Sequence, residues 1–140
     1  MFSSEKHKSG TISELLATSY FVQNNHIVSK PITDFHDYDL IVDNGSLKRV
    51  QVKTIYWDNS KSRYLASCVT SHIRGNETRY NKKYHKDSFD LLCAVEHTTG
   101  SIYIIPMEKV LDRRSITFYP KGKPETVNGR YEDFEQYKVR

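Results

Sequence analysis

From Thr11 to Asn25 the apolar side chains fall at Ile12, Leu15, Leu16 and Val22, with Ser19 on the same line. These three- and four-residue intervals describe one face of a helix. Thr11 stands where an N-cap belongs, and Asn24-Asn25 supplies a stop. HIVSKP then predicts a short strand closed by Pro31. At YDLIVDNGSLKRVQVKT, residues 38–54, the period changes to two, so that Leu40 and Val42 share one face while Asp39, Ile41 and Asp43 share the other. In the second half of this hairpin Val50 and Val52 point toward a core and leave Gln51, Lys53 and Ile55 on the opposite side. RYLASCVT, residues 63–70, is a β-rich run preceded by the turn DNSK, whereas SHIRGNETRYNKKYHKDS shows no usable period and stays unassigned. FDLLCAVEH and SIYIIP, joined by TTG, predict a hairpin at the centre of the sheet. A helical turn over 107–113, a strand at ITFYP and a loop at KGKPETVNGR complete an α+β pattern.

A chain of 140 residues can bury one ordinary core, and no repeat or Pro/Gly/Ser linker divides it, so a single domain is expected over 1–140. No apolar run approaches a bilayer span and no charged-then-apolar leader follows Met1, which makes a cytoplasmic protein without membrane insertion the expectation. Cys68 and Cys93 lack the spacing of a zinc or redox pair and read as small buried side chains. The net charge of +4 is unevenly spread. Leu47 to Lys86 holds ten Lys or Arg against Asp58 and Glu77, a local +8, leaving −4 elsewhere. One face of the domain should therefore attract an anionic partner.

The polar residues of the 38–54 hairpin need a reason to be there. If Asp39 pairs directly with Gln51, then 43 pairs with 47 and Asn44-Gly45-Ser46 forms a three-residue loop. A two-residue Asn-Gly turn would instead put Gln51 on the face away from Asp39 unless a bulge restored the register. With the first register, the Asp39 carboxylate, the Gln51 amide oxygen and the Val52 carbonyl offer hard oxygen donors of the kind that suit Mg²⁺. Lys53 lies one strand repeat, roughly 7 Å, beyond Gln51, where an ammonium could stabilise charge building on a phosphorus centre.

These residues resemble the PD-(D/E)XK nuclease superfamily, whose signature is an acid, a hairpin-length gap, then acid-x-Lys. The resemblance runs through GTISELLATSYFVQNNHIVSKP, YDLIVDNGSLKRVQVKT and FDLLCAVEHTTGSIYIIP, about residues 10–106, and leaves 107–140 as a C-terminal extension. Within the superfamily it is nearest to the group I intron-associated homing endonucleases, relatives of the archaeal Holliday junction resolvases. It implies a restriction-endonuclease-like αβββαβ core, a central mixed sheet flanked by helices. It also implies catalytic roles for Glu14, Asp39, Gln51 and Lys53, with Glu14, Asp39, Gln51 and Val52 around Mg²⁺ or Mn²⁺. Two departures stand out: Gln51 occupies a position more often acidic, and Tyr38 stands where a proline usually precedes the acid.

Each residue also has a plainer reading. Thr11-x-x-Glu14 is a capping box, although Glu14 lies about 200° around the helix from Ile12 and Leu16 and so could approach the hairpin. Asp39 would serve as an ordinary strand-edge acid, and Lys53 as an edge-blunting lysine. The stretch containing Arg74, Arg79, Tyr80, Lys82, Lys83, Tyr84 and Lys86 has the residue types of a double-stranded DNA contact, or of a solvated charged face. Arg113, Arg114, Lys121 and Lys123 bracket a second basic loop, opposed by Glu125 and the acidic YEDFE. No HExxH or similar spacing joins the six His residues, of which His36 lies near Asp39 and His85 within the basic stretch.

The leading expectation is a metal-dependent, homing-type endonuclease cutting a long specific duplex as a symmetric homo-oligomer, dimer or tetramer. The alternatives are a structure-specific nuclease of Holliday-junction-resolvase type and a non-catalytic DNA-binding module of the same fold.

Overall fold

The computed structural model describes residues 5–73, 79–122 and 132–140. Helix α1 (Glu5–Gln23) begins upstream of the expected start. Thr11 is interior, its hydroxyl donating to the His7 carbonyl four residues back at 3.1 Å, so the capping-box reading does not hold. The end is as expected: Asn25 turns left-handed at φ 64°, and the His26 N–H returns to the Phe21 carbonyl at 3.0 Å.

The buried face of α1 is Ser13, Ala17 and Phe21, flanked by Leu16 and Tyr20. Leu15 and Val22, both on the expected apolar stripe, are 64% and 56% exposed. The small side chains at 13 and 17 let the helix backbone approach the sheet closely and Phe21 anchors its end. Apolarity alone favours the larger neighbours and misses this.

The main sheet has the order β1-β2-β3-β8-β9, built from Ile27–Ser29, Leu40–Asp43, Leu47–Thr54, Leu91–Glu96 and Ser101–Pro106. All neighbours are antiparallel except the parallel pair β3–β8. Between these two run β4 (Tyr56–Asp58), β5 (Arg63–Ser67), β6 (Val69–Ile73) and β7 (Arg79–Lys83). The connection that the resemblance led us to expect as a helix is thus made by strands among the described residues. β10 (Ser115–Phe118) joins β5 and β4 in a second sheet, and the β-rich run 63–70 divides at Cys68 between β5 and β6, which forms a two-stranded ribbon with β7 reaching into the stretch left unassigned above. The β8–β9 hairpin forms as expected, but β9 is outermost rather than central. Its edge is met by the end of the chain, where the Val139 N–H donates to the Ile102 carbonyl at 2.9 Å.

The mixed sheet and its helix make an α+β fold with an apolar cluster on each face. Toward α1 lie Leu40, Val42, Val50, Cys93, Val95 and Ile102. The opposite cluster joins Leu92, Ala94 and Ile105 to Ala66, Ile116 and Phe118 of the second sheet and to Phe134. Val110, just after a 3₁₀ turn (Met107–Lys109), also belongs to it, so the segment after residue 106 completes this core. Cys68 and Cys93 are buried free thiols, and burial pushes the Cys68 thiol up to about 12.

Candidate active site

The register of β2 on β3 decides what the site contains. Asp43 pairs with Leu47 and Leu40 with Val50, leaving Asn44-Gly45-Ser46 as a three-residue loop. Gly45 takes φ 109°, a backbone open to glycine, and its N–H donates to Asp43 Oδ1 at 2.9 Å. The paired register ends with Leu40 opposite Val50, and Asp39, just before the strand, steps out of it. The Asp39 N–H donates to the Val50 carbonyl, and Asp39 Oδ2 accepts from the Val52 N–H, both at 2.8 Å.

Val50 and Val52 face α1, whereas Gln51, Lys53 and Ile55 face the second cluster. One end of the Gln51 amide lies 3.1 Å from Asp39 Oδ2 and 2.6 Å from the Asp37 carbonyl, and the other lies 3.2 Å from the Tyr84 hydroxyl. Lys53 Nζ donates to the Val69 carbonyl at 3.3 Å and sits 5.8 Å from the centre of the Tyr84 ring. Glu14 is ion-paired with Lys30. Its helix is pinned one residue earlier, where Ser13 Oγ meets Thr54 Oγ1 at 2.8 Å in a buried bond to β3.

Burial pushes the Asp39 carboxyl above its ordinary value. The Val52 N–H works against that shift, Glu14 adds to it, and Lys53 and Lys30 oppose it. Burial also holds the Lys53 ammonium below its ordinary value, with Asp39 acting in the other direction. Two charges of opposite sign are therefore held in one poorly solvated corner, each destabilised by burial and partly compensated by the other.

The donor set fits a hard divalent cation. No group of three or more His, Cys, Asp or Glu side chains able to hold a metal occurs among the described residues. A cation here would instead draw on one carboxylate together with amide and backbone carbonyl oxygens. An amide oxygen placed between Asp39 Oδ2 and the Asp37 carbonyl meets only other oxygens, a grouping that a cation relieves.

The structure moves several expected site residues. Tyr84, assigned above to the DNA-facing stretch, is 4% exposed, with its hydroxyl at Gln51 and its ring edge-on to Phe89 at 4.8 Å. It serves the site's interior instead of a duplex surface. Lys83 and Lys86 are exposed. Arg79, Tyr80 and Lys82 belong to the backbone of β7, and Arg74, Lys123 and Glu125 lie outside the described residues. Arg113 is engaged internally with Glu132 at 2.9 Å, so one acid of YEDFE braces the fold. His36 hydrogen-bonds Thr33 Oγ1 at 2.5 Å and stacks on Tyr38.

Asp37 enters the site through its backbone carbonyl, which no side-chain pattern could have disclosed. A cavity of about 610 Å³ lined by Trp57, Tyr64, Tyr103 and Phe118 includes none of these site residues.

No curated protein matches the chain in sequence. In structure it is similar to the bacterial homing endonuclease I-Ssp6803I, with a TM-score of 0.79 at 20% identity over 96% of this chain and 89% of that one, a likeness of fold. No helix among the described residues is long and apolar enough to cross a membrane. The family model for PD-(D/E)XK endonucleases matches residues 4–139, which contain the acid, the hairpin and the lysine set out above. The chain belongs to the PD-(D/E)XK endonuclease family.

Proposed function

We propose that this nuclease is a Mg²⁺- or Mn²⁺-dependent, homing-type endonuclease that hydrolyses phosphodiester bonds at a long, specific double-stranded DNA target in the cytoplasm. The observation that carries this reading is the meeting of Asp39 Oδ2 with the Gln51 amide at 3.1 Å, with Lys53 on the same face of the same strand. Asp39 and Gln51 would hold the cation, with Glu14 at the margin. Strand alternation directs the Val52 carbonyl to the same edge as its N–H, toward Asp39. When bound, the cation supplies neutralisation of phosphate charge and acidification of water.

The protein's own groups do the rest. The Val52 N–H holds Asp39 Oδ2 beside the Gln51 amide. The ammonium of Lys53, carried beside Asp39 on a buried stem, stabilises negative charge developing on a neighbouring phosphate. The β6–β7 ribbon bears the basic residues that would follow the duplex backbone, with Lys83 and Lys86 exposed at its base. Exposed Leu15, Val22, Ile27, Ile32, Phe35 and Leu47 support a homo-oligomer, because a double-strand break needs two such sites.

The test is cleavage of supercoiled plasmid libraries and four-way junctions in Mg²⁺, Ca²⁺ or EDTA. Plasmid cutting in Mg²⁺ alone, lost in Asp39→Ala and Lys53→Ala, is the expected result. Cutting confined to junctions would replace the target class with branched DNA. Salt-sensitive binding without any cutting would make the chain a DNA-binding module.

A further inference from the structure

The Gln51 amide has two chemically different ends, and its surroundings treat them differently. Oδ2 of ionised Asp39 and the Asp37 carbonyl, 3.1 and 2.6 Å from one end, can only accept. Without a cation, the NH₂ group belongs at that end, where its two N–H bonds meet two acceptors. A divalent cation reverses the preference, since it attracts the amide oxygen and repels the NH₂ group. A half-turn about the last side-chain bond exchanges the two ends with almost no change in shape.

Such a turn needs a partner at the far end that accepts either outcome. The Tyr84 hydroxyl lies there at 3.2 Å and can donate to the amide oxygen or accept from the NH₂ group by rotating its proton. It is also held in place: Tyr84 is buried, its ring lies edge-on to Phe89 at an interplanar angle of 82°, and the Lys53 ammonium lies over that ring.

We propose that Tyr84 is the positioning residue of the Gln51 amide. It would donate to Oε1 when no cation is bound, and accept from the NH₂ group when the amide turns its oxygen inward to a divalent cation. This rests on the cation-dependent reading above. A carboxylate at position 51 would have no end to choose and would not need the exchange.

The experiment uses the full chain, isotopically labelled, with Ca²⁺ as the non-reacting cation. In EDTA, the Gln51 side-chain NH₂ should show scalar coupling through its hydrogen bond to the Asp37 carbonyl carbon. Saturating Ca²⁺ should abolish that coupling while shifting the Asp39 carboxylate carbon. By calorimetry, Tyr84→Phe should weaken Ca²⁺ binding several-fold, because an N–H left without an acceptor is tolerated less well than a carbonyl left without a donor. In a Gln51→Glu background the same substitution should change Ca²⁺ affinity less than about twofold, since the carboxylate loses the same bond in both states.

Coupling that persists with Ca²⁺ bound, or equal Tyr84→Phe effects in both backgrounds, would overturn the assignment and leave the cation reading intact. Absence of any Ca²⁺-induced shift at Asp39 would overturn both. The coupling measurement uses the unsubstituted chain, so a folding defect in a variant leaves the test standing.

Discussion

The Val52 N–H donates to Asp39 Oδ2 at 2.8 Å, so one oxygen of the acid is bound to the strand that carries Gln51 and Lys53. The bond ties the carboxylate to β3 and fixes its rotamer relative to both residues. It also separates the structural role of Asp39 from its chemical one.

Asp39→Asn keeps an oxygen for the Val52 N–H and removes the charge, whereas Asp39→Ala removes both. Cleavage should fall about a hundredfold or more in each variant. Urea unfolding should place the Asn variant within about 1 kcal/mol of the parent, and the Ala variant about 1–3 kcal/mol below it, the cost of an orphaned N–H. Equal stability of the two variants would remove the Val52 bond from the account.

Burial holds Lys53 below its ordinary value, so folding opposes its charged form. As pH rises from the folded-state value of this lysine toward the unfolded value of 10.5, the unfolded chain binds more protons and the parent gains stability. Lys53→Met should therefore match or exceed the parent in stability at pH 7, and lose that advantage as pH approaches 10.5. Paired urea titrations across this range measure the difference, while cleavage by the variant is lost throughout.

Glu14 raises the Asp39 carboxyl further above its ordinary value, after burial, while Lys30 lowers it. Glu14→Gln removes the first influence and frees Lys30 from its ion pair, and both changes favour ionised Asp39. The carboxyl carbon of Asp39, followed by NMR, should titrate at lower pH in the variant. The stability that the parent gains as pH falls through the raised Asp39 value should shrink with it. An unchanged titration would mean that Glu14 does not act on this site.

Ser13→Ala leaves the Thr54 hydroxyl without its partner in a buried position, as Thr54→Val does for Ser13. Each single change should cost about 1–3 kcal/mol in urea unfolding, and the double variant less than their sum. Because this bond seats α1 on β3 beside Glu14, cleavage should also fall in the single variants. Additive losses would show that the two hydroxyls act separately.

Much of this was legible before any coordinates. The two-residue alternation of 38–54 separates Asp39 and Gln51 from Leu40, Val42 and Val50, and the three-residue loop with 43 opposite 47 follows by counting alone, although the ladder stops at Leu40 and Asp39 meets Gln51 from outside it. Helix α1 was misread in its buried face and its start, because close packing at Ser13 and Ala17 depends on a neighbouring sheet that local periodicity does not contain. The run 63–70 was read as one β-rich segment, but it divides between β5 and the start of β6, and β7 was missed because RYNKK is polar and pairs only with β6 among the described residues, with no aliphatic residue to mark its period. Tyr84 was assigned to the wrong surroundings because its neighbours along the chain are charged, while its neighbours in space are Gln51, Lys53 and Phe89.

What the chain determines by itself is the alternation of its strands, the length of its hairpin loop and the order of acid, amide and lysine, since these depend on covalent geometry and near neighbours. Only the tertiary structure decided that the Asp37 carbonyl and the Tyr84 hydroxyl would close around the Gln51 amide, and that burial would press on the charges of Asp39 and Lys53. A carbonyl carries no side-chain signature, and desolvation depends on every element packed around a group, so neither can be read from one segment of sequence.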